Sequence, residues 1–340
     1  MKAVFFDRFG GPDVLTFGDR PAPSPKPGEV LVRVRACAVN HLDLWVRGGL
    51  PGLEPEMPHV LGNDIVGEIA ELGAGVTHVT AGQKTLVNPT LSCGHCEACA
   101  TGDDHLCRSY DVIGRKRNGG YAEVVCVPAV NCLPYPENLP WEQAAAVPLV
   151  FLTAWHMLVT RARVRPGDDV LVIGAGPIGL LAVRAAVLAG AARVFGVDTV
   201  ADRLELARAQ GGIPVDASEA AATLDEATSG TGVDAVIDAA GYPSTWELAL
   251  SAVRWGGRID VIGLGAVQGP ISYHAVVSKG VTVVGSYACV RSDFDRALEL
   301  LADGSADVSS WITRMPLADG QAAFEGLVEH PRFTKVVLVP

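Results

Sequence analysis

The sequence has no excess of basic residues. It holds 27 lysines and arginines against 38 aspartates and glutamates, which gives a formal net charge of −11. A protein that binds nucleic acid usually needs a basic patch or stripe to contact the phosphates, and the chain has none. We therefore expect no nucleic-acid partner, and the acidic balance mainly favours solubility.

Long apolar runs are also missing. The most apolar stretch, Ile178–Ala192, contains Arg184 and Gly190 and is shorter than the roughly 20 residues that a membrane-spanning helix needs. The N-terminal residues carry one lysine followed by Asp7 and Arg8, without the apolar centre of a secretory signal. These features predict a cytoplasmic protein with no membrane partner.

The first third of the chain has the pattern of a β domain. The segments Glu29–Ala38, Ile65–Leu72 and Tyr121–Val127 alternate apolar and polar residues, as half-buried strands do. Glycine and proline are dense between them and indicate turns. The combination predicts a compact, barrel-like β domain.

From Asp169 onward short apolar runs alternate with longer helical patterns. The run DVLVIGAG predicts a strand and turn, PIGLLAVRAAVLAGA predicts a helix, and RVFGVD predicts the next strand. The pattern continues with strands in VDAVIDAAG and RIDVIGL and with a helix over Ser244–Gly257. Alternation of this kind is typical of an α/β fold with a doubly wound parallel sheet. A helix over 293–304 and a strand over 335–340 follow.

Four of the eight cysteines lie close together in the run SCGHCEACATGDDHLC. They are Cys93, Cys96, Cys99 and Cys107, with the spacing C-x2-C-x2-C-x7-C. Four thiolates can surround one tetrahedral Zn²⁺ and leave no open position, so this metal would stabilise a lobe without taking part in chemistry. Two disulfides are the alternative, although nothing else indicates an oxidising compartment. The remaining cysteines are expected to be core residues: Cys37, Cys126, Cys132 and Cys289.

A G-x-G-x-x-G motif follows a predicted strand and opens a predicted helix. Its residues are Gly174, Ala175, Gly176, Pro177, Ile178 and Gly179. Such a loop brings backbone N–H groups and a helix N-terminus to the pyrophosphate of a dinucleotide. Asp198, at the end of the next strand, can accept hydrogen bonds from the adenosine ribose and would repel a 2′-phosphate, so NAD is favoured over NADP. Arg203 is the residue that would instead attract that phosphate.

The order of these motifs resembles the medium-chain dehydrogenase/reductase superfamily of zinc-containing alcohol dehydrogenases and quinone oxidoreductases. The resemblance spans the chain through MKAV…FGGP, PGEVLVRV, the cysteine lobe, GGYAEVV, LTAWHML and GAGPIG…VD. It implies a GroES-like β-barrel catalytic domain over 1–150 and 286–340, with a structural zinc lobe over 92–108. It implies a Rossmann NAD-binding domain over 151–285, and a homodimer or homotetramer in which VTVVGSYA pairs between chains.

The residues that match the catalytic-zinc ligands of that superfamily are altered. The matching positions carry Asn40 in place of a cysteine, and Asn63 and Asp64 in place of a histidine and a glutamate. The third ligand position falls among Leu149, Val150 and Phe151, and the proton relay falls at Leu42 and Trp45. The resemblance therefore implies that the structural zinc is kept and the catalytic zinc is lost. A hard cation held by the oxygen-bearing residues is the alternative.

The resemblance also implies roles for individual residues. Candidates for hydrogen bonding to substrate or for proton transfer are Asn40, His41, Asp43, Asn63 and Asp64. Cofactor contacts beyond the glycine-rich loop are expected at Thr153, Ile262, Leu264, Ser286 and Tyr287. The substrate pocket is expected to include Trp45, Leu50, His59, and Phe151 or Leu152.

We expect an NAD-dependent dehydrogenase acting on a small molecule, with an activated alcohol or carbonyl compound as substrate. Two alternatives stay open: reduction of a quinone or conjugated C=C bond, and a catalytically silent NAD(H)-binding protein.

Overall fold

The structure is a computed structural model that describes residues 1–328 and 333–340 of the chain. The chain forms two compact units, one made of Met1–Leu149 and Phe294–Pro340, the other of Val150–Asp293. The domain boundaries drawn from the sequence stay a prediction. The second segment of the first unit begins at Phe294, in the first turn of the helix Arg291–Ala302.

The first 149 residues are mainly β-structure. The strands are β1 (Lys2–Phe6), β2 (Thr16–Asp19), β3 (Glu29–Ala38), β4 (His59–Val60), β5 (Asp64–Leu72), β6 (Lys84–Val87), β7 (Thr90–Leu91), β8 (Asp111–Val112), β9 (Val124–Pro128) and β10 (Cys132–Pro134). The helices of this stretch are α1 (His41–Gly48), α2 (Glu97–Ala100) and α3 (Trp141–Ala145).

The middle of the chain alternates helices and strands. In chain order they are α4 (Pro148–Trp155), β11 (Asp169–Ile173), α5 (Pro177–Leu188), β12 (Arg193–Asp198), α6 (Ala201–Ala209), β13 (Ile213–Asp216), α7 (Ala220–Ala227), β14 (Val233–Asp238), α8 (Pro243–Ala252), β15 (Val253–Val261), α9 (Tyr273–Lys279) and β16 (Thr282–Gly285). The last elements are α10 (Arg291–Ala302), β17 (Ile312–Pro316), α11 (Gly320–Val328) and β18 (Lys335–Val339).

The first unit is built around a seven-stranded sheet in the order β10-β6-β5-β3-β18-β17, with β9 also paired to β3. The central strand β3 alternates as its sequence predicts: Arg33 and Arg35 are exposed, whereas Val32 and Val34 are buried. Packing against this sheet is a smaller sheet of order β2-β1-β4, and its buried residues, such as Phe6, join the same apolar core.

The second unit is a six-stranded parallel sheet in the order β13-β12-β11-β14-β15-β16. Its central strands are buried along almost their whole length, as expected where helices cover both faces. The helix predicted over Ser244–Gly257 ends early, at Ala252. Val253 instead begins β15 by pairing with Val233, because Gly256 and Gly257 are poor helix formers.

Within the described residues, every helix is too short or too polar to cross a bilayer.

Candidate functional site

Three strand ends of the first unit meet at one edge of its large sheet. β3 ends just before Asn40, β5 begins at Asp64, and β18 begins at Lys335. Ala38 of β3 pairs with Asp64 on one side and with Val337 on the other. This register brings Lys335 beside Asn40, although the two residues are 295 positions apart in the chain.

These residues form a hydrogen-bonded group that we call the polar cluster: Asn40, Asn63, Asp64 and Lys335. The Nζ of Lys335 donates to Oδ1 of Asn40 at 2.5 Å and to Oδ2 of Asp64 at 3.2 Å. The Nδ2 of Asn40 donates to Oδ1 of Asn63 at 2.6 Å and to Oδ2 of Asp64 at 2.8 Å. All four residues are at most 6% exposed.

Asp64 and Lys335 are a buried ion pair. The carboxylate of Asp64 accepts a third hydrogen bond at its other oxygen, from the backbone N–H of Leu149 at 2.7 Å. Burial raises the pKa of Asp64, and the ammonium of Lys335 opposes that rise. Removing one partner of such a pair leaves an uncompensated buried charge, which typically costs about 3–5 kcal/mol of stability.

Asp43, in the first turn of α1, lies against the cluster and accepts four hydrogen bonds. Its Oδ2 accepts from the hydroxyl of Tyr121 at 2.7 Å and from the backbone N–H of Asn40 at 2.8 Å. Its Oδ1 accepts from the N–H of Gly62 at 3.2 Å and from Nδ2 of Asn63 at 3.3 Å. Burial raises the pKa of Asp43 to about 6, and burial also raises the pKa of Tyr121 well above its usual range.

Gly62 holds the backbone that delivers Asn63 to the cluster. Its φ is 102°, a conformation that favours glycine. A Cβ at this position would lie 2.6 Å from Cδ1 of Tyr121 and 2.8 Å from Sγ of Cys37. Only glycine therefore fits between these buried side chains without displacing them.

The expected pocket and proton-transfer residues of the first unit fall in different surroundings. His41 is exposed at the start of α1, and its ring centroid lies 6.4 Å from that of Trp45, which is 38% exposed. Leu50 packs on the apolar core. His59 is 1% exposed, and its Nε2 hydrogen bonds to the carbonyl of Gly114 at 3.0 Å instead of pointing to the polar cluster.

The four clustered cysteines converge as a metal site would require. Their Sγ atoms all lie within 4.8 Å of one another, with 3.9 Å between Cys93 and Cys99 and 3.5 Å between Cys96 and Cys99. A tetrahedral site with Zn–S bonds of about 2.3 Å has S···S separations of about 3.8 Å. The backbone N–H of Cys96 donates to Sγ of Cys93, and that of Cys93 donates to Sγ of Cys107. The thiols are free of disulfides, and their arrangement fits one Zn²⁺.

The glycine-rich loop of the second unit connects β11 to α5. Gly179 packs so closely that a Cβ would lie 1.7 Å from the carbonyl oxygen of Gly174. Asp198, at the end of β12, accepts hydrogen bonds from the N–H groups of Ala175 and Val200 at 2.8 and 2.9 Å. The carboxylate thus lies directly beside the loop, where a cofactor ribose would bind.

The other expected cofactor residues follow the ends of neighbouring strands. Ile262 and Leu264 come after β15, and Ser286 and Tyr287 come after β16. Because these strands run parallel to β11, their carboxyl ends share the sheet edge at which the glycine-rich loop lies. Leu264 and Tyr287 are 63% and 53% exposed. Thr153 is buried in α4, as are Phe151 and Leu152, which were expected to line the pocket.

Comparison with known proteins agrees with this architecture. Residues 26–137 match the alcohol dehydrogenase GroES-like domain, and residues 177–303 match the zinc-binding dehydrogenase family. The alcohol dehydrogenase of Geobacillus stearothermophilus is 33% identical, over 99% of this chain and 99% of its own length. The chain belongs to the zinc-containing branch of the medium-chain dehydrogenase/reductase superfamily.

Further relatives of this medium-chain dehydrogenase/reductase are similar along most of their length. The L-threonine 3-dehydrogenase of Streptomyces avermitilis is 33% identical, over 90% of each chain. The crystal structure of an NAD-dependent alcohol dehydrogenase superposes with a TM-score of 0.92 at 38% identity and covers 100% of both chains. A thermostable alcohol dehydrogenase from Pyrobaculum aerophilum gives a TM-score of 0.90 at 31% identity, covering 100% of this chain and 99% of its own. The predicted α/β fold, with its GroES-like and Rossmann parts, is confirmed, and the chain is an oxidoreductase.

Sequence reasoning missed Lys335 and Tyr121. Lys335 opens the predicted strand KVVLVP, where a lysine is most simply explained as a solvated strand end. Its burial depends on the pairing of β18 with β3, and no local sequence pattern predicts that pairing. The only signal was indirect. Asn40 and Asp64 were predicted to line the site, and the Asp64 carboxylate would need a nearby cation if it were buried.

Proposed function

We propose that this chain transfers a hydride between NAD(H) and an activated alcohol or carbonyl compound without a catalytic zinc. The observation that carries the proposal is the ammonium of Lys335 within the polar cluster. It contacts Asn40 and Asp64, two of the residues that match the catalytic-zinc region of related enzymes. In this proposal, hydrogen bonds of the polar cluster act on the substrate where related enzymes use a catalytic zinc.

Several features support NAD(H) as the cofactor. The N–H groups at the start of α5 and the close packing at Gly179 suit a bound pyrophosphate. The Asp198 carboxylate suits ribose hydroxyls and would repel a 2′-phosphate, and Arg203, 3.9 Å away, is held by that carboxylate. One of the similar crystal structures is of an NAD-dependent alcohol dehydrogenase. When bound, the nicotinamide supplies or accepts the hydride.

The polar cluster does not suit a catalytic zinc. Zn²⁺ in enzymes takes cysteine, histidine and carboxylate ligands, whereas two of the groups here are side-chain amides. The oxygens that would face a cation, Oδ1 of Asn40 and Oδ2 of Asp64, already accept from Lys335. Two unit charges about 4 Å apart interact by about 4 kcal/mol at an effective dielectric of about 20, so a dication beside an ammonium is repelled by about twice that.

The missing metal limits the substrates that can react. A zinc ion lowers the pKa of bound water from about 15.7 to about 7, which corresponds to about 12 kcal/mol. One preorganised hydrogen-bond donor supplies about 3–4 kcal/mol. Such donors suffice where a neighbouring π system spreads the developing negative charge. We therefore infer a conjugated, allylic or aromatic substrate.

In the reducing direction the hydride adds to the carbonyl carbon while the oxygen is stabilised by an amide N–H group of the polar cluster. The oxygen then takes one proton, so that one carbonyl compound, one NADH and one proton give one alcohol and one NAD⁺. Among the candidate residues, His41 suits the proton transfer best, because it is exposed and can exchange protons with water.

The test combines metal analysis with a substrate panel. We expect one zinc per chain, held by the cysteine lobe, and oxidation of NADH with benzaldehyde, 2-cyclohexenone or 1,4-benzoquinone. Turnover of the aldehyde supports alcohol–carbonyl interconversion, whereas turnover of the enone or quinone alone selects the alternative reductase function. Two tightly bound zincs per chain would overturn the zinc-free mechanism, and tight NADH binding without any turnover would identify a silent binding protein.

We also infer that the chain assembles through β16. This strand is the edge of the six-stranded sheet, and Val283 within it is 45% exposed. The residues before it expose further apolar side chains, including Tyr273 and Val277, each 79% exposed. Sedimentation equilibrium should show a dimer or tetramer that Val283→Asp shifts toward monomer, whereas a monomeric wild-type protein would contradict the inference.

A further inference from the structure

The polar cluster and Asp43 form a hydrogen-bond chain that runs in one direction. The Nζ of Lys335 donates to Oδ1 of Asn40 at 2.5 Å, and Nδ2 of Asn40 donates to Oδ1 of Asn63 at 2.6 Å. The Nδ2 of Asn63 then donates to Oδ1 of Asp43 at 3.3 Å. An ammonium can only donate and a carboxylate can only accept, so the two ends determine the direction of the whole chain.

The direction matters because a side-chain amide presents an acceptor on one side and a donor on the other. Lys335 requires an oxygen from Asn40, so the nitrogen of that amide must face Asp64 and Asn63. Asn63 must therefore turn its own oxygen toward Asn40 and its nitrogen toward Asp43. Each bond in such a chain also polarises the next, by roughly 10–30% in condensed-phase estimates.

A count of the side-chain amide hydrogens of Asn40 and Asn63 shows that one of them is not used within the hydrogen-bond chain. Both amide hydrogens of Asn40 are used, one on Asn63 and one on Asp64. Asn63 has two amide hydrogens, and the hydrogen bonds of the described residues use one of them, on Asp43. Its second hydrogen is thus the amide donor without an acceptor among the described residues, and because Asn63 is 1% exposed, an oxygen that binds it must be enclosed beside the polar cluster.

We propose that Lys335 is a positioning residue that fixes the Asn40 and Asn63 amides, so that the second amide hydrogen of Asn63 binds the substrate oxygen. This inference rests on the proposed function, since it names the donor that stabilises the carbonyl oxygen during hydride transfer. Lys335 acts through the two amides and touches neither substrate nor cofactor. The competing role is purely structural: neutralising the buried charge of Asp64.

A charge-balanced double variant separates the two roles. Lys335→Met alone leaves the Asp64 carboxylate buried without a cation and is expected to fold poorly. Asp64→Asn combined with Lys335→Met removes both charges together. In this variant the new side-chain amide at position 64 can donate a hydrogen bond to Oδ1 of Asn40. The Asn40 amide is then reversed, and the Asn63 amide that bonds to it reverses as well. The nitrogen of Asn63 is thereby turned away from the substrate oxygen. A structural ion pair predicts full recovery of activity, whereas a positioning residue predicts its loss.

The kinetic arm uses the zinc-loaded protein with NADH and the most reactive member of the substrate panel. We expect kcat of the double variant to fall by about 100-fold with KM little changed, since losing one such donor costs roughly 10²–10³ in kcat. Adding Asn63→Ala to the double variant should cause no further loss. Wild-type kcat in the double variant, or an additive effect of Asn63→Ala, would overturn the inference.

A second arm reads the amides directly and does not depend on turnover. The sequence has six asparagines, at positions 40, 63, 88, 118, 131 and 138, so selective ¹⁵N-asparagine labelling gives six side-chain amide pairs. We expect both Asn40 protons to be shifted downfield, and one Asn63 proton to move when benzamide, an unreactive carbonyl ligand, is added to the NADH complex. The double variant should lose both signatures.

The two arms distinguish failure of the inference from failure of the proposed function. A wild-type protein that turns over nothing in the panel contradicts the proposed reaction, and the amide spectra then decide alone whether Lys335 orients the cluster. Unchanged Asn40 and Asn63 spectra in the double variant contradict the inference, whatever the activity.

Discussion

Asp43 is the buried acid with the clearest link between pH and stability. Its folded pKa of about 6 lies above the value of about 3.9 that it has in an unfolded chain. The folded state therefore binds the Asp43 proton more tightly. Its contribution to stability is complete below about pH 4 and is lost as the pH rises through about 6.

Replacing Asp43 with asparagine should remove this pH dependence. We expect the free energy of unfolding of the wild type, minus that of Asp43→Asn, to fall by on the order of 3 kcal/mol between pH 4 and pH 7. Urea denaturation at several pH values measures the difference. The exposed Asp19 is a control of opposite sign, because the Lys2 ammonium lowers its pKa. A difference for Asp43→Asn that does not vary with pH would contradict the prediction.

Asp198 should control the choice between NAD and NADP. Asparagine at this position keeps an oxygen that can accept from the Ala175 N–H but removes the charge that repels a 2′-phosphate. We expect Asp198→Asn to raise the ratio of NADPH to NADH affinity by about tenfold, which corresponds to about 1.4 kcal/mol. Fluorescence titration measures both constants. Asp202→Asn, on the exposed face of α6, is the matched control.

At the residue scale the sequence predicts what local spacing determines. The cysteine spacing led to four thiols within 4.8 Å, and the glycine-rich motif led to a close-packed loop beside Asp198. The surroundings of His59 and Lys335 were not predictable, because a buried histidine and a buried lysine each depend on partners from distant strands.

Among the elements, the cysteine lobe depends most on its metal. It leaves the body of the first unit between β7 and β8, which pair only through Thr90 with Val112 and Leu91 with Asp111. Its short α-helix, α2, has no buried residue, and Leu106 is 59% exposed. A segment with so little apolar burial needs another source of stability.

Cys99→Ser should therefore abolish zinc binding and lower the melting temperature of the first unit by roughly 10 °C, since a structural zinc contributes several kcal/mol. The matched control is Cys126→Ser, a half-buried cysteine of β9 outside the cluster, which should keep one zinc. Metal analysis and calorimetry give both quantities. Retention of zinc by Cys99→Ser would show that the lobe is not the binding site.

Strands and helices were predictable where the spacing of apolar residues in the sequence matched the faces that the fold buries. β3 alternates between buried and exposed side chains over Val32–Ala36, and the central parallel strands β11 and β14 are buried along almost their whole length because helices cover both faces. α8 was predicted too long, since Val253 and Arg254 continue its helical pattern, but Val253 pairs with Val233 of β14 instead. Tertiary pairing prevailed over a weak helical preference near two glycines.

On the scale of the whole molecule, we expect the two units to be stabilised by different ligands. Zinc is expected in the first unit, and NADH is expected to bind the glycine-rich loop of the second. A ligand stabilises only the folded form to which it binds. We expect a chelator to lower one calorimetric transition and saturating NADH to raise another. Transitions that always shift together would contradict this assignment.

The overall fold was predictable because each unit has its own repeating pattern, alternating in the first and β-then-α in the second. The joining of the first unit from two distant segments was implied only by resemblance to a family. The pairing of β3 with β18 links residues about 300 positions apart, and nothing in either strand specifies that partner. The centre of the candidate site depends on that pairing.

The position of β18 has a consequence for the order of synthesis. A ribosome releases β3, β5 and the whole of Val150–Asp293 before it reaches Lys335. Until then Asp64 has no cation to bury against, so the nascent first unit must keep this edge of its sheet hydrated or open. A polypeptide cut short before Lys335 would carry an unneutralised carboxylate in its interior. Such a truncated chain is expected to have a less stable first unit than the complete one, because the buried ion pair has lost one partner.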